Sequence, residues 1–235
     1  MKPDMERIAW NGLEFETPPG WWPGVVKGRY LRLDDEEGPV LECKWAYGPS
    51  GALDRRLSKS PRKKGKGLGA ADAPAQWKYP LGRLKKQGFA AKPFTWGKDE
   101  QGKGGGVHLR HKEKKAALVL NVFRLRDKGI VAGVAAAMAG LTLAGQGDGL
   151  AWNIFGMRAE TPEGFMLIDQ QFNPGHFRLT LEKPGDKDGL PGFLVLDRTG
   201  PARVLLRRTS LAEWAGSYYA KLPLFKQARS IGESG

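Results

Sequence analysis

Two stretches of the chain carry nearly the same residue pattern, 144 positions apart. Residues 10–21 read WNGLEFETPPGW, and residues 152–165 read WNIFGMRAETPEGF. The residues that match at this offset are Gly12, Glu16, Thr17, Pro18 and Gly20 with Gly156, Glu160, Thr161, Pro162 and Gly164. The Trp-Asn pairs also match after a two-residue gap. A fixed spacing this dense indicates an internal duplication of a strand–turn–strand segment.

Weaker similarities follow each copy, because residues 28–33 resemble residues 175–181. Alternating apolar and polar residues with Gly- and Pro-rich turns favour short antiparallel strands. The predicted strands are 8–16, 28–34, 39–47, 89–96, 106–112, 116–125, 153–160, 165–172, 176–183, 192–198 and 202–208. The predicted fold class is α+β, with two related units of antiparallel sheet plus helix that arose by internal duplication. The first unit is 1–147, with a basic Gly/Lys-rich insertion, and the second, shorter unit is 148–235.

A helix is predicted near the end of each unit. The first covers about 130–142, where Val131, Val134, Met138 and Leu141 form one apolar stripe. Its surroundings, 129–147, carry no charge but are rich in Ala and Gly, so no membrane span is expected. The second begins at a capping box of Ser210 and Glu213, followed by an apolar face that ends before a proline. The residues of that face are Leu211, Trp214, Tyr218 and Leu222, and the proline is Pro223.

The basic charge belongs to one segment. The whole chain has 38 Lys and Arg against 25 Asp and Glu, a net charge of +13. Residues 55–128 alone have a net charge of +16, and the remainder has −3. Residues 55–67 hold seven basic residues and no acid, which predicts an exposed, mobile loop. A second mobile loop is expected at 97–106, and 74–87 could be a helix that Pro80 interrupts.

This segment suggests a surface that binds phosphate groups of nucleic acid or another polyanion. The candidate residues are Arg55, Arg56, Lys59, Arg62, Lys63, Lys64, Lys66, Lys85, Lys86, Arg110 and Lys112. Nearby aromatic residues could stack on unpaired bases; they are Trp77, Tyr79, Phe89, Phe94 and Trp96. The alternative is a solvated basic loop beside aromatic residues of the core.

Other motifs lack the context that their chemistry needs. The P-loop-like residues 97–103 have Gly104 where a magnesium-binding hydroxyl is required, and 65–70 fit a dinucleotide pattern without the preceding strand. On a strand, His108 and His111 point to opposite faces, so they cannot share a metal, and a surface role among the neighbouring Lys and Arg residues is expected for them. No catalytic residue, metal site or cofactor is therefore assigned.

The cysteine content and the first residues suggest a compartment. Cys43 is the single cysteine, which fits a reducing environment, and no base is found for it as a nucleophile. The first residues lack the apolar core of a signal peptide. The expected location is the cytoplasm.

The order of elements resembles the Mog1/PsbP-like fold. The residues of the resemblance are Trp10 through Trp21, Trp152 through Phe165, and Ser210 through Trp214. It covers both halves loosely, and the basic insertion and the short second half depart from the family pattern. Since that family has no shared catalytic residue and includes members that bind protein partners, the resemblance implies a binding or scaffold role.

Three functional hypotheses follow. The first is a non-enzymatic binding or scaffold protein, with a protein partner, because duplication occurs without a coherent catalytic set. The second is a nucleic-acid-binding protein that uses residues 55–115. The third is an enzyme with a site between the two units, for which no residues can be named.

Overall fold

The computed structural model describes residues 5–49, 69–70, 73–96, 104–185 and 190–220. The strands are β1 (Glu6–Trp10), β2 (Leu13–Thr17), β3 (Trp22–Lys27), β4 (Tyr30–Asp35), β5 (Gly38–Tyr47), β6 (Gly69–Ala70), β7 (Phe89–Trp96), β8 (Gly104–His111), β9 (Ala116–Val122), β10 (Thr142–Leu143), β11 (Leu150–Ile154), β12 (Met157–Thr161), β13 (Met166–Asn173), β14 (His176–Lys183) and β15 (Gly192–Thr199). The α-helices are α1 (Lys78–Lys86), α2 (Lys128–Ala139), α3 (Ala202–Leu205) and α4 (Leu211–Tyr219). Every strand pairing that the structure gives is antiparallel, so the predicted α+β class is confirmed.

The two repeated segments each form a tight hairpin rather than one strand. The predicted strands 8–16 and 153–160 are wrong in this respect, because a two-residue turn divides each of them. Asn11 and Gly12 have φ of 45° and 89°, and Phe155 and Gly156 have φ of 52° and 72°. Two successive positive φ values define a type I′ turn, whose twist matches that of paired strands.

The strand pairing of the two hairpins also repeats at the offset of 144. Glu6 pairs with Thr17 in the first, and Leu150 pairs with Thr161 in the second. In this alignment Trp10 corresponds to Ile154, so the Trp-Asn pairs of the sequence are not structurally equivalent.

Both hairpins belong to one five-stranded sheet with the order β10-β2-β1-β11-β12. The central contact pairs Ala9 with Asn153, and the indole rings of Trp10 and Trp152 meet edge-to-face at 5.3 Å. Aromatic pairs in this geometry stabilise a core beyond the area they bury.

A seven-stranded sheet, with the order β3-β4-β5-β9-β8-β7-β6, forms the larger layer. Its strand β8 begins at Gly104, so the loop expected over 97–106 is wrong for 104–106, while 97–103 lie outside the described residues. Gly106 permits this close pairing, because a Cβ there would lie 2.0 Å from the Leu120 carbonyl oxygen.

Tryptophan side chains connect the elements of this part of the chain. The Trp10 indole donates to the Gly28 carbonyl at 2.8 Å, and the Trp45 indole donates to the Asn11 carbonyl at 3.1 Å. The Trp77 indole donates to the Val131 carbonyl of α2 at 3.1 Å. These buried donors are satisfied by backbone oxygens, which fixes how the sheets and helices pack.

Helices α1 and α2 follow the predicted positions with changes at their ends. A 3₁₀ turn, Ala75–Trp77, precedes α1, and Pro80 lies in the first turn of α1, where its missing N–H has no intrahelical partner to lose. Helix α2 is capped by the Asp127 carboxylate, and Leu141 lies beyond its end. Among the described residues, no helix combines the length and the hydropathy that a membrane crossing needs.

Packing divides the chain into two compact units. The first comprises Met1–Ile168 and Leu181–Leu194, and the second comprises Asp169–Thr180 and Val195–Gly235. The predicted boundary after residue 147 follows the sequence repeat instead and stays a prediction.

The second unit contains α3 and α4. The predicted strand 202–208 is wrong, because α3 occupies Ala202–Leu205, directly after Pro201. The predicted capping box is confirmed: Ser210 accepts from the Glu213 backbone N–H, and the Glu213 carboxylate accepts from the Ser210 backbone. Leu222 and Pro223 lie outside the described residues.

Candidate functional site

Basic side chains from two separate segments meet at one end of the seven-stranded sheet. Helix α1 ends at Lys86, and its last turn leads through Gly88 into β7. Phe89 at the start of β7 pairs with His111 at the end of β8, and their rings lie 4.9 Å apart. This pairing brings the C-terminus of α1 beside the β8–β9 turn, residues 112–115.

We call residues 83–86 and 110–115 the basic end. It holds seven Lys or Arg residues and one acid, Glu113. Its exposed basic residues are Arg83, Lys85, Lys86, Lys112, Lys114 and Lys115. Lys114 also donates to the Leu143 carbonyl at 2.5 Å, and Lys85 and Lys86 offset the partial negative charge at the helix C-terminus. The concentration of one sign of charge attracts polyanions.

Four of the predicted binding residues therefore lie together. Lys85 and Lys86 are exposed on α1, Arg110 is half-buried on β8, and Lys112 is exposed in the turn. The remaining predicted residues lie outside the described part of the chain; they are Arg55, Arg56, Lys59, Arg62, Lys63, Lys64 and Lys66. The predicted set did not include Arg83, Lys114 and Lys115, although their charge was the available signal.

Most of the aromatic residues proposed for base stacking are in the core. Trp77, Phe89 and Phe94 are 1%, 5% and 8% exposed, so their rings cannot receive a base without rearrangement. Tyr79 is 73% exposed on α1, one turn before Arg83. Tyr79 therefore remains available as a stacking residue at the basic end.

Two other residues considered in the sequence are buried. Cys43 is fully buried, and burial raises the pKa of its thiol far above the ordinary value, so it is not a nucleophile. His111 is 6% exposed, packs against Phe89 and accepts from the Lys114 backbone N–H, so the expected surface role is wrong for this histidine. His108 is exposed on β8.

A concavity of about 500 Å³ lies in the first unit beside the end of β5. Its wall includes Arg29 from the β3–β4 turn, Tyr47 from β5, Phe165 and Asp148. The Arg29 guanidinium lies over the Tyr47 ring, 4.8 Å from its centre. We call this the Arg29 concavity.

The Tyr47 side chain is a fixed part of the concavity wall. Its hydroxyl donates to the Ala144 carbonyl at 2.8 Å. Burial is the main cause that raises the pKa of Tyr47 to about 12; the Arg29 charge opposes this rise, and the Asp148 carboxylate adds to it. Tyr47 is therefore a neutral support for the Arg29 guanidinium.

A larger concavity, about 930 Å³, lies beside β1, β11 and β12. Its wall includes Arg7, Trp22, Arg158 and Glu160. Arg7 is already held by the two oxygens of Glu14, at 2.9 Å each. The mixed charge and this internal pairing make it a weaker anion site than the basic end.

The second unit contains a polar cluster that sequence analysis missed. The Asp197 side chain is 2% exposed; Arg178 donates to its Oδ2 at 2.7 Å, and His176 Nε2 lies 2.8 Å from its Oδ1. The Tyr218 hydroxyl accepts from Arg178 at 2.8 Å and lies 2.9 Å from His176 Nε2. Every charge in the cluster has a partner, so it serves to attach α4 to β14 and β15 within this unit.

Another internally satisfied network lies on the larger sheet. The Glu42 carboxylate accepts from the Tyr30 hydroxyl at 2.8 Å and from Asn121 at 2.7 Å, with Lys44 at 3.3 Å. Burial alone would raise the pKa of Glu42, but these hydrogen bonds and the Lys44 charge lower it overall.

The described residues contain no group of three or more His, Cys, Asp or Glu side chains that could hold a metal ion. Comparison with known proteins gives no family: no protein-family model matches the chain, and no curated protein matches it. The function therefore has to be inferred from the geometry of the chain itself.

Proposed function

We propose that this chain is a non-enzymatic, cytoplasmic binding protein whose ligand is nucleic acid. The observation that carries this proposal is the basic end, where exposed cations from α1 and from the β8–β9 turn adjoin through the Phe89–His111 pair. Lysine and arginine side chains release counterions when they contact phosphates, and that release supplies most of the affinity of such interfaces.

Three features support this ligand class over a small anion. The cations are exposed and come from two elements, so they can contact several phosphates along a strand. Residues 55–67 add seven more basic residues in sequence to the same part of the chain. Tyr79 supplies an exposed ring on the helix that carries Arg83 and Lys86.

The test is the salt dependence of binding to a labelled oligonucleotide, measured by fluorescence anisotropy. The triple variant Lys85→Ala, Lys86→Ala, Lys112→Ala should bind far more weakly at about 50 mM salt, and its plot of log affinity against log salt should be shallower by about 2 to 3 units. The matched control is Lys27→Ala, Arg126→Ala, Arg158→Ala, which removes three exposed charges elsewhere.

The control variant should retain most of the affinity. Wild-type protein that binds heparin but not oligonucleotides at this salt concentration would contradict the assignment to nucleic acid. Equal losses in the two triple variants would show that only net charge matters and would remove the basic end from the proposal.

We also propose that the two hairpins descend from one duplicated segment, in a Mog1/PsbP-like arrangement. The repeated strand pairing at an offset of 144 and the two positive-φ turns support this origin. A binding role without catalytic residues agrees with what that resemblance implies. Sequences of related chains should keep a turn-compatible residue at both Gly12 and Gly156; loss of the pattern in either copy would argue against duplication.

A further inference from the structure

The Arg29 concavity adjoins the basic end at the same end of the seven-stranded sheet. Tyr47 in its wall pairs with Ala116, which directly follows Lys115. The Gly48 backbone N–H donates to the Lys115 carbonyl at 2.8 Å. Neighbouring strands lie about 4.8 Å apart, so the step from β8 through β9 to β5 spans about 10 Å.

Arg29 has the chemistry of a base-stacking residue. It is exposed, and no Asp or Glu within the described ranges forms a salt bridge with it. Its guanidinium rests on the Tyr47 ring, which the bond to Ala144 holds in place. A guanidinium supported on one face can stack an unpaired base on the other, while its charge stays near the phosphate.

The size and lining of the concavity fit one nucleotide. A volume of about 500 Å³ lies within the range of small-ligand sites. Phe165 contributes an aromatic wall, and the glycine-rich segment 145–147 also lines the concavity. A base inside a duplex cannot enter such a concavity, whereas a base in a single strand can.

We infer that the Arg29 concavity receives one unpaired base of a single-stranded nucleic acid whose backbone lies along the basic end. This inference rests on the proposed function and adds to it a preference for single strands. Lys27, on the strand before the same turn, is exposed and supplies a matched charge-only control.

The experiment compares a single strand of about 12 nucleotides, a length within the range of known single-strand sites, with a duplex of the same sequence. Wild type, Arg29→Ala, Arg29→Lys and Lys27→Ala are titrated by anisotropy at about 50 mM salt. Arg29→Ala and Arg29→Lys should each weaken single-strand binding about tenfold, the loss expected for one stacked base. Lysine keeps the positive charge but lacks the planar guanidinium, so Arg29→Lys should not restore the single-strand affinity.

For the duplex, both Arg29 variants should bind no worse than Lys27→Ala. The inference is overturned if Arg29→Lys binds the single strand as wild type does, or if Arg29→Ala equals Lys27→Ala on that strand. In either case the proposed function survives as long as wild type binds and the basic-end triple variant does not. If wild type binds neither the single strand nor the duplex, the proposed function is overturned as well.

Discussion

At the scale of single residues, the most consequential side chain of the second unit is Asp197. Its carboxylate is nearly fully buried and satisfies Arg178 and His176 together. Removing one partner of a buried ionic cluster leaves the others uncompensated, which costs about 3 kcal/mol. Asp197→Ala should therefore lower the free energy of unfolding by about that amount in urea denaturation. The control is Asp169, which is exposed on β13. Asp169→Ala should change the free energy of unfolding by at most about 0.5 kcal/mol. Equal effects of the two variants would contradict the structural role of the cluster.

Glu42 sets a residue-scale prediction about pH. Its pKa in the folded chain lies below the ordinary value of 4.5. A carboxyl with a lowered folded pKa adds stability above its unfolded pKa, and that stability is lost as the pH falls through the folded pKa. The free energy of unfolding should therefore decline below about pH 4.5. In the Glu42→Gln variant this free energy should be lower by about 1.5 kcal/mol at neutral pH and should fall less steeply as the pH decreases. Denaturation at a series of pH values measures this, with Glu163→Gln as the control for one exposed carboxylate. An unchanged slope in Glu42→Gln would refute the assignment.

At the scale of elements, helix α4 depends on its N-terminal cap. Ser210 accepts the Glu213 backbone N–H at 3.2 Å, satisfying one of the donors that a helix start leaves open. Ser210→Ala should cost about 1 kcal/mol and reduce helical circular dichroism. Ser217→Ala, an exposed change inside the same helix, should have little effect, because alanine is the better helix former there. A similar loss in both variants would mean that the cap does not stabilise α4.

The same cap shows which elements the sequence could predict. Capping boxes act through neighbouring backbone atoms, so the start of α4 at Ser210 is visible in a short window. The expectation that Pro80 interrupts a helix over 74–87 was wrong, because Pro80 lies in the first turn of α1, where a proline is tolerated. The hairpins are harder to predict from the sequence, because the two-residue turn at Phe155 and Gly156 interrupts an alternating pattern that otherwise indicates one strand. Residues 202–205 show the opposite error, because an apolar run after a proline suits a strand and a single helical turn equally well.

At the scale of the whole molecule, the candidate site could be predicted in charge but not in shape. The basic excess of residues 55–128 is a property of composition and was visible from the start. The approach of the end of α1 to the β8–β9 turn depends on the pairing of Phe89 with His111, which no local pattern encodes. The position of the Arg29 concavity beside the basic end likewise depends on a long-range contact, the hydrogen bond from Gly48 to Lys115, between residues 67 positions apart. The polar cluster around Asp197 was missed because its members are dispersed along the second half of the sequence.

The net charge of +13 leads to a prediction for the whole chain. A ligand that binds only the folded state stabilises it by mass action, by about 2.7 kcal/mol at one hundred times its Kd. For a chain of this length, that corresponds to a rise in Tm of roughly 5 to 10 °C. A single-stranded oligonucleotide should produce such a shift at about 50 mM salt and lose most of it at about 200 mM, because the affinity depends on counterion release. The variant Lys85→Ala, Lys86→Ala, Lys112→Ala should show little shift in differential scanning fluorimetry, whereas Lys27→Ala, Arg126→Ala, Arg158→Ala should resemble wild type. A shift of equal size at both salt concentrations would place the stabilising contact outside the basic end, since phosphate contacts weaken with salt.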